Sequence, residues 1–452
     1  MNGSRAPLAI LALALIALAV WPAFVTRMNL DSSSTSVASA AAVDAIFTPA
    51  PVTRDYLVRD GLVSFYERAV RRTPSDQIMA RMLAGQYLMR FRERGDVGDL
   101  KRARIAASRS LMLQPRHNDG AETELGSVAL SLHDFRAAQR YYEDVTRMAP
   151  WNHDSWANLA SADMELGEYA AARQVLAKSQ GPYVDAARET SLARYDELTG
   201  DLRRAQSHLT VGMQQIDSVI DNPAEARAWY HFRAGELAFE NGDARGAERD
   251  LHDALAIYPD DAKAYNTLAR IYCATHRWRE ALAAADKAAE LMPLPETLGY
   301  EFDAQRELGD KPGAAETQDL IFAIQRIGNA NGINDRAIAV YESEHGLRLG
   351  DAVLIARRDL ASRDDLYAED TLAWALAMDG RFGEARPHAA RAVAVGTRDS
   401  RVLFHAGWIS FRLGDQAKAR LLLQSALAVN PEFHPYYADW ARAALRRLVM
   451  SR

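Results

Sequence analysis

Eleven histidines, one cysteine and a few adjacent carboxylates are the side chains through which this 452-residue chain could do acid–base, nucleophilic or metal chemistry. Each needs company. A metal ion held on a helix needs a second ligand three or four residues away. His133, His153, His231, His252 and His405 each stand alone on their helical stretches, so they read as surface or core residues rather than ligands. Cys273 sits beside Tyr272 on a helical stretch and reads as a packed small side chain, not a nucleophile. Being single, it also excludes an internal disulfide. Asp260-Asp261 and Asp364-Asp365 have the look of acid–base pairs. Both fall at predicted helix starts, where a carboxylate caps free N–H groups and complements the helix dipole. There is no Gly-x-Ser-x-Gly, no Gly-rich phosphate loop with Lys and no His-Glu-x-x-His. The expectation is a protein that is not an enzyme and holds neither metal nor cofactor.

The elements around these residues are helical almost throughout. From Tyr56 onward apolar residues recur three and four apart, divided by short Gly-Asp, Asn-Pro or Asp-Gly breaks. No alternating β-branched run is long enough for a sheet. With 48% apolar and 25% charged residues, most of the chain should fold. The formal net charge of -6 is small for this length and argues against nucleic acid as a partner.

A period of about 34 residues organises the helices. The segments ending in Pro150, Pro259, Pro293 and Pro431 align without gaps. Glycine stands 24 residues before three of these prolines, at Gly126, Gly235 and Gly407, and Ala269 stands there in the fourth. Alanine stands 12 residues before all of them, at Ala138, Ala247, Ala281 and Ala419. Small residues at those places let paired helices approach closely, and the proline stops the second helix. An earlier unit, Ile78 to Pro115, has the same layout with an enlarged internal loop from Arg92 to Asp99.

The pattern resembles that of tetratricopeptide-repeat proteins over residues 60–432. The resemblance implies an all-α fold: an α-solenoid, a right-handed superhelix of about ten stacked helix hairpins. It also implies partner binding in a concave groove lined by the first helix of each hairpin. By the family's register, the groove positions are Trp229, Phe232, Glu236 and Phe239 in one unit. They are Lys263, Asn266, Arg270 and Cys273 in the next, and Arg401, Phe404, Trp408 and Phe411 in the last. The expected partner-binding residues are therefore Trp229, Phe232, Lys263, Asn266, Arg270, Phe404 and Trp408. The aromatics would hold an extended or helical peptide, and the cations and amide would take a carboxylate or carbonyl. The plainer reading is that the aromatics pack against the next helix and the charges form a solvated face. The cluster does not match the family's clamp for peptide C-termini. Thr371-Leu372-Ala373-Trp374-Ala375-Leu376, and His405-Ala406-Gly407-Trp408 followed by Leu413-Gly414-Asp415, are similar to an exported bacterial subgroup.

The N-terminus differs from the rest. Leu8 to Val25 is an uncharged apolar run, preceded by Arg5, broken only by Pro22 and closed by Arg27. A helix needs about 20 apolar residues to span a bilayer, so the run reads as an uncleaved signal anchor or a cleaved signal peptide. Arg5 keeps that end in the cytoplasm, which places the repeats in the periplasm or another extracytoplasmic space. The domains expected are an anchor or signal at 1–27, a Ser/Ala/Thr/Pro-rich linker at 28–54 and a repeat array at 55–327. An irregular helical connector follows at 328–365, then C-terminal units with a capping helix at 366–452. The function this implies is a membrane-tethered or exported scaffold that binds another protein or peptide. Other readings are an envelope or polysaccharide-export assembly component, an enzyme, and a cytoplasmic regulator whose N-terminal helix is buried. Full-length protein should fractionate with membranes, whereas a chain starting at Thr53 should be soluble and fully helical by circular dichroism. Precipitation or lost helicity of the shorter chain would put the apolar run in the core instead.

Overall fold

A computed structural model describes residues 55–181, 185–219, 221–330 and 336–450. The apolar run Leu8 to Val25 and the linker lie outside them. Among the described residues there are 22 α-helices and no strand, and no helix is long and apolar enough to cross a membrane. A short turn at Asp55–Val58 leads into α1 (Arg59–Arg72). Ten hairpins follow: α2 (Gln77–Arg94) with α3 (Val97–Leu113), α4 (Asp119–Ser131) with α5 (Phe135–Met148), and α6 (His153–Glu165) with α7 (Tyr169–Lys178). Next are α8 (Ala186–Leu198) with α9 (Leu202–Asp217), α10 (Ala224–Glu240) with α11 (Ala244–Ile257), and α12 (Ala262–Ala274) with α13 (Trp278–Leu291). The last four are α14 (Pro295–Leu308) with α15 (Lys311–Ala330), α16 (Arg336–Glu344) with α17 (Leu349–Ser362), α18 (Leu366–Met378) with α19 (Phe382–Ala394), and α20 (Ser400–Arg412) with α21 (Gln416–Val429). A single helix, α22 (Tyr437–Met450), packs against α20 and α21 and closes the stack. The chain is an all-α solenoid of stacked helix hairpins.

Local chemistry sets the helix boundaries. Asp261 accepts hydrogen bonds from the backbone N–H groups of Lys263 and Ala264 at the start of α12, and Asp365 accepts one from Ala368 at the start of α18. The two adjacent-carboxylate motifs therefore supply helix caps. The enlarged loop expected between Arg92 and Asp99 is instead longer helix. The helix α2 runs to Arg94, Gly95 ends it in the left-handed region, and Asp96 caps α3.

The repeated small residues sit where the helices touch. Ala138, Ala247, Ala281 and Ala419 are all fully buried, at 0% exposure. A Cβ added to Gly126 would lie 2.5 Å from the Tyr142 ring. Helices this close leave no room for a larger side chain. Their cores of Ala, Leu, Phe and Tyr run from hairpin to hairpin.

The solenoid curls until its turns touch. The Leu366 N–H donates to Tyr169 Oη at 2.9 Å, 197 residues away. Arg363 donates to Glu165 at 3.2 Å across 198 residues, and Asn430 Nδ2 to the Phe239 carbonyl at 2.7 Å across 191. Near the N-terminus, Tyr258 Oη donates to the Glu93 carbonyl at 3.0 Å across 165 residues. With a repeat of about 34 residues, one superhelical turn takes roughly five to six hairpins.

Glycine makes the contact between turns possible. Gly200 and Gly414 end first helices with positive φ, 88° and 81°. Each would resist a Cβ by about 1–2 kcal/mol on conformation alone. A Cβ on Gly200 would also lie 2.2 Å from the Gly396 carbonyl oxygen, whereas one on Gly414 meets nothing within 4 Å. Gly200→Ala should therefore lower stability more than Gly414→Ala, by at least about 1 kcal/mol in matched denaturant melts. It should also loosen the particle in small-angle scattering. Equal losses with no change of shape would show that the turns do not touch in solution.

Candidate functional site

The curled solenoid encloses an axial cavity of about 240 Å³. Its walls come from the first helices of successive hairpins. The helix α8 offers Arg194 and Glu197; α10 offers Arg233, Glu236 and Glu240; α12 offers Arg270 and Cys273. Glu296, Tyr300 and Asp303 come from α14, Val340 and Glu344 from α16, Tyr367, Asp370 and Trp374 from α18, and Arg401 and His405 from α20. Spacings of three and four along each helix place these residues on one face.

Most of the charges are paired. Arg233 lies between Glu197, at 2.6 Å, and Glu236. Arg194 pairs with Glu197 and lies over the Tyr367 ring, 5.4 Å from its centre. Arg363 meets Glu165 at 3.2 Å and Asp359 at 3.1 Å, and so ties two superhelical turns together. Three histidines face carboxylates. His345 is 2.9 Å from Asp303, His405 is 2.9 Å from Asp370, and His434 is 3.6 Å from Glu344. The pairs shift the proton equilibria. Burial pushes the Glu344 carboxyl up, but His434, Arg401 and His345 outweigh it and hold the group down at about 2. Burial, with Glu197 and Asp399 nearby, pushes Glu240 up to about 8 against the pull of Arg270 and Arg233.

The residues expected to form one groove are divided. Arg270 lines the axial cavity. Lys263 lines a second cavity of about 350 Å³ with Tyr56, Arg92, Glu93 and Asp261, and its Nζ donates to Glu225 at 3.3 Å. Asn266 accepts a hydrogen bond from Thr297 Oγ1 at 2.8 Å. The aromatics are placed otherwise than expected: Trp229, Phe232 and Phe404 are buried, at 6%, 5% and 0% exposure. Phe404 stacks on Tyr437 with ring centres 4.9 Å apart. Trp408 is partly buried and packs on Trp440 of the capping helix at 5.2 Å. The physical reason is a rotation of the helix faces by less than one residue, which keeps Glu236 and Arg401 on the cavity but turns Phe232 and Phe404 off it. In α10 and α20 the residue after two of the expected aromatics lines the cavity: Arg233 after Phe232, and His405 after Phe404. The aromatics go to the contacts between helices, where burial of their large apolar area is favourable.

His133, expected on a helical stretch, is a turn residue, and so is His276. His133 and His276 have φ of 59° and 58°, in hairpin turns where other units use glycine. Each ring packs on the aromatic residue two positions later, Phe135 or Trp278. Cys273 is 1% exposed, and burial pushes its thiol up, which makes it an inert packed residue. Among the described residues no group of three metal-ligating side chains comes together. Sequence reasoning missed the cavity charges Arg194, Glu197 and Glu240, and Tyr300 beside them. The signal was a run of charged residues three and four apart on first helices, which reads equally well as a solvated face.

Models of the tetratricopeptide repeat match residues 129–194 and 238–296, and a further one matches residues 371–437. No curated protein matches the chain. Among solved structures it is similar to yeast Tom70, at 14% identity over 86% of this chain and 92% of that one, with a TM-score of 0.35. It is also similar to human IFIT1 in a dimer with PPP-AAAA, at 14% identity over 71% of this chain and 73% of that one, with a TM-score of 0.48. A third is YrrB, described as a tetratricopeptide-repeat protein with an unusual peptide-binding site, at 20% identity over 44% of this chain and 95% of that one, with a TM-score of 0.26. Tetratricopeptide repeats are therefore present in both halves of the chain.

Glu240 has a pH signature. Its folded carboxyl is held up at about 8, above an unfolded value of about 4.3. The folded state binds the extra proton between those values, so this group makes the protein less stable as pH rises through them. Glu240→Gln should remove that contribution. Its melting temperature relative to the parent should rise progressively from pH 5 to pH 8. A constant difference across that range would show that Glu240 ionises normally.

Proposed function

We propose that this chain is a non-catalytic interaction scaffold whose axial cavity holds an extended segment of a partner protein. The observation that carries this reading is the convergence of polar first-helix faces from seven or more hairpins on one cavity of about 240 Å³. A fold that only needed stability would fill that space with apolar side chains. The cavity suits an extended segment better than a helix, which is about 10–12 Å across with its side chains. Tetratricopeptide repeats support the coarser statement, that the array is a surface for protein–protein contact. Partner recognition here is equilibrium binding, with no bond made or broken.

The finer reading places the scaffold outside the cytoplasm. Its support is the apolar run Leu8 to Val25 and the Ser/Ala-rich stretch behind it, both read from sequence. Such a tether would hold the repeats near a membrane, or a cleavage in the stretch would release them.

Site-specific photo-crosslinking tests where the partner sits. A photoreactive residue at Val340, on the cavity wall, should trap the partner in cells. The same residue at Leu421, 65% exposed on α21, should not. Adducts from Leu421 with none from Val340 would move the contact to the outer face.

A further inference from the structure

We infer that Arg270 and Arg401 together receive a side-chain carboxylate from an acidic segment of a partner protein. This rests on the reading of the axial cavity as the partner's seat, and it adds what the seat recognises. Six arginines line the cavity. Arg194, Arg233, Arg336 and Arg363 are engaged with Glu197, Glu236, Asp365, Asp359 and Glu165. Arg270 lies over the Phe239 ring, 5.2 Å from its centre, and 3.9 Å from Glu240, too far for a hydrogen bond. Arg401 makes no side-chain hydrogen bond or ion pair among the described residues, although Asp399, Glu344, Tyr300 and Asp370 surround it.

Three of those neighbours already make hydrogen bonds, and the fourth, Glu344, lies 3.6 Å from His434. Asp399 Oδ1 accepts from the backbone N–H groups of Arg401 and Val402 and caps α20. Asp370 holds His405, Glu344 faces His434, and the Tyr300 hydroxyl donates to Glu296 at 3.1 Å. Burial pushes the Glu240 carboxyl up, so at 3.9 Å it answers Arg270 only weakly. The two guanidinium groups are near enough to oppose each other electrostatically. Within a protein that repulsion is stronger than in water. An anion between them relieves it, and the guanidinium fork matches a carboxylate.

A monoanion suits the site better than a dianionic phosphate, because Asp399, Glu344 and Asp370 lie close by and repel added negative charge. A chain segment suits it better than a free acid. The cavity continues past the arginines along Val340, Tyr367 and Trp374, and a small acid leaves those walls uncovered.

Isothermal titration calorimetry on the full chain tests this with three probes. The first is a pool of hexapeptides with two fixed central glutamates, mixed flanks and both termini blocked. The second has glutamines in place of the glutamates, and the third is glutarate alone. The glutamate pool should bind, with the glutamine pool and glutarate at least tenfold weaker. Arg401→Gln and Arg270→Gln should each weaken the glutamate pool at least tenfold, and Arg279→Gln on the exposed surface should not. Both cavity variants should stay fully helical by circular dichroism, so that lost binding reports the site and not lost folding. Equal binding of the two pools, or undiminished binding by Arg401→Gln, would overturn the proposal. Glutarate binding as tightly as the pool would overturn it in favour of a free acid. No binding by any probe would remove the carboxylate site. Crosslinking from Val340 in that case would leave the scaffold reading in place.

Discussion

The structure depends on one constraint: successive turns of the solenoid come into backbone contact. That contact is short because a glycine stands on one side of it. Gly200 lies so near the Gly396 carbonyl that a Cβ would come within 2.2 Å of its oxygen, and for Gly167 against Asp364 the distance would be 2.0 Å. The same glycines are needed for their left-handed backbone at the hairpin turn. One residue type thus serves both the local turn and the closure of the superhelix. Arg363, Tyr169 and Asn430 then fasten the turns with hydrogen bonds spanning nearly two hundred residues. Without closure the first helices would line an open groove. With it they enclose a cavity.

Closure also determines what the first helices can carry. Facing helices on opposite walls come near enough for their charges to interact, so a charge on one wall needs an answer on the other. Glu165 of α6 is answered by Arg363, beyond α17, and Glu344 by His434, beyond α21. These pairs connect units that are distant along the chain. Buried ion pairs of this kind are weak evidence for stability, because desolvation consumes much of their attraction. The stability of the array resides in the Ala- and Leu-rich contacts between helices, which include fully buried Ala247, Ala281 and Leu251.

The fold was legible in the sequence because it is written locally. Ala138, Gly126 and Pro150 lie within one repeat and report contacts between neighbouring helices. The enlarged loop at Arg92 to Asp99 was misread because its polar residues look the same in a loop and in the last turns of a long helix. The site was less legible for a different reason. The family register identifies the first-helix face to within one residue, and 100° of rotation per residue decides whether Phe232 or Arg233 faces the cavity. That rotation follows from how far the solenoid curls, which is a property of contacts between distant units and has no local signature. Arg270 and Arg401 fell on the right side of that rotation, whereas Phe404 did not.

The placement of the aromatics bears on how the array works. Trp374 is the largest fully buried side chain. It stacks on His405 at 4.1 Å, and its indole N–H donates to the Tyr437 hydroxyl at 3.1 Å. Tyr437 in turn stacks on His434 at 3.9 Å and on Phe404. This cluster joins α18, α20 and the capping helix, and through Trp374 and His405 it forms part of the cavity wall that carries Arg401. Rings with two χ angles and shared hydrogen bonds lose little further freedom once packed. They therefore hold the wall rigid and leave the polar residues in front of it to make contacts. A rigid wall costs a ligand less ordering entropy on binding than a loose one. The aromatics expected on the groove, Trp229, Phe232 and Phe404, are thus packed between helices and brace the cavity wall.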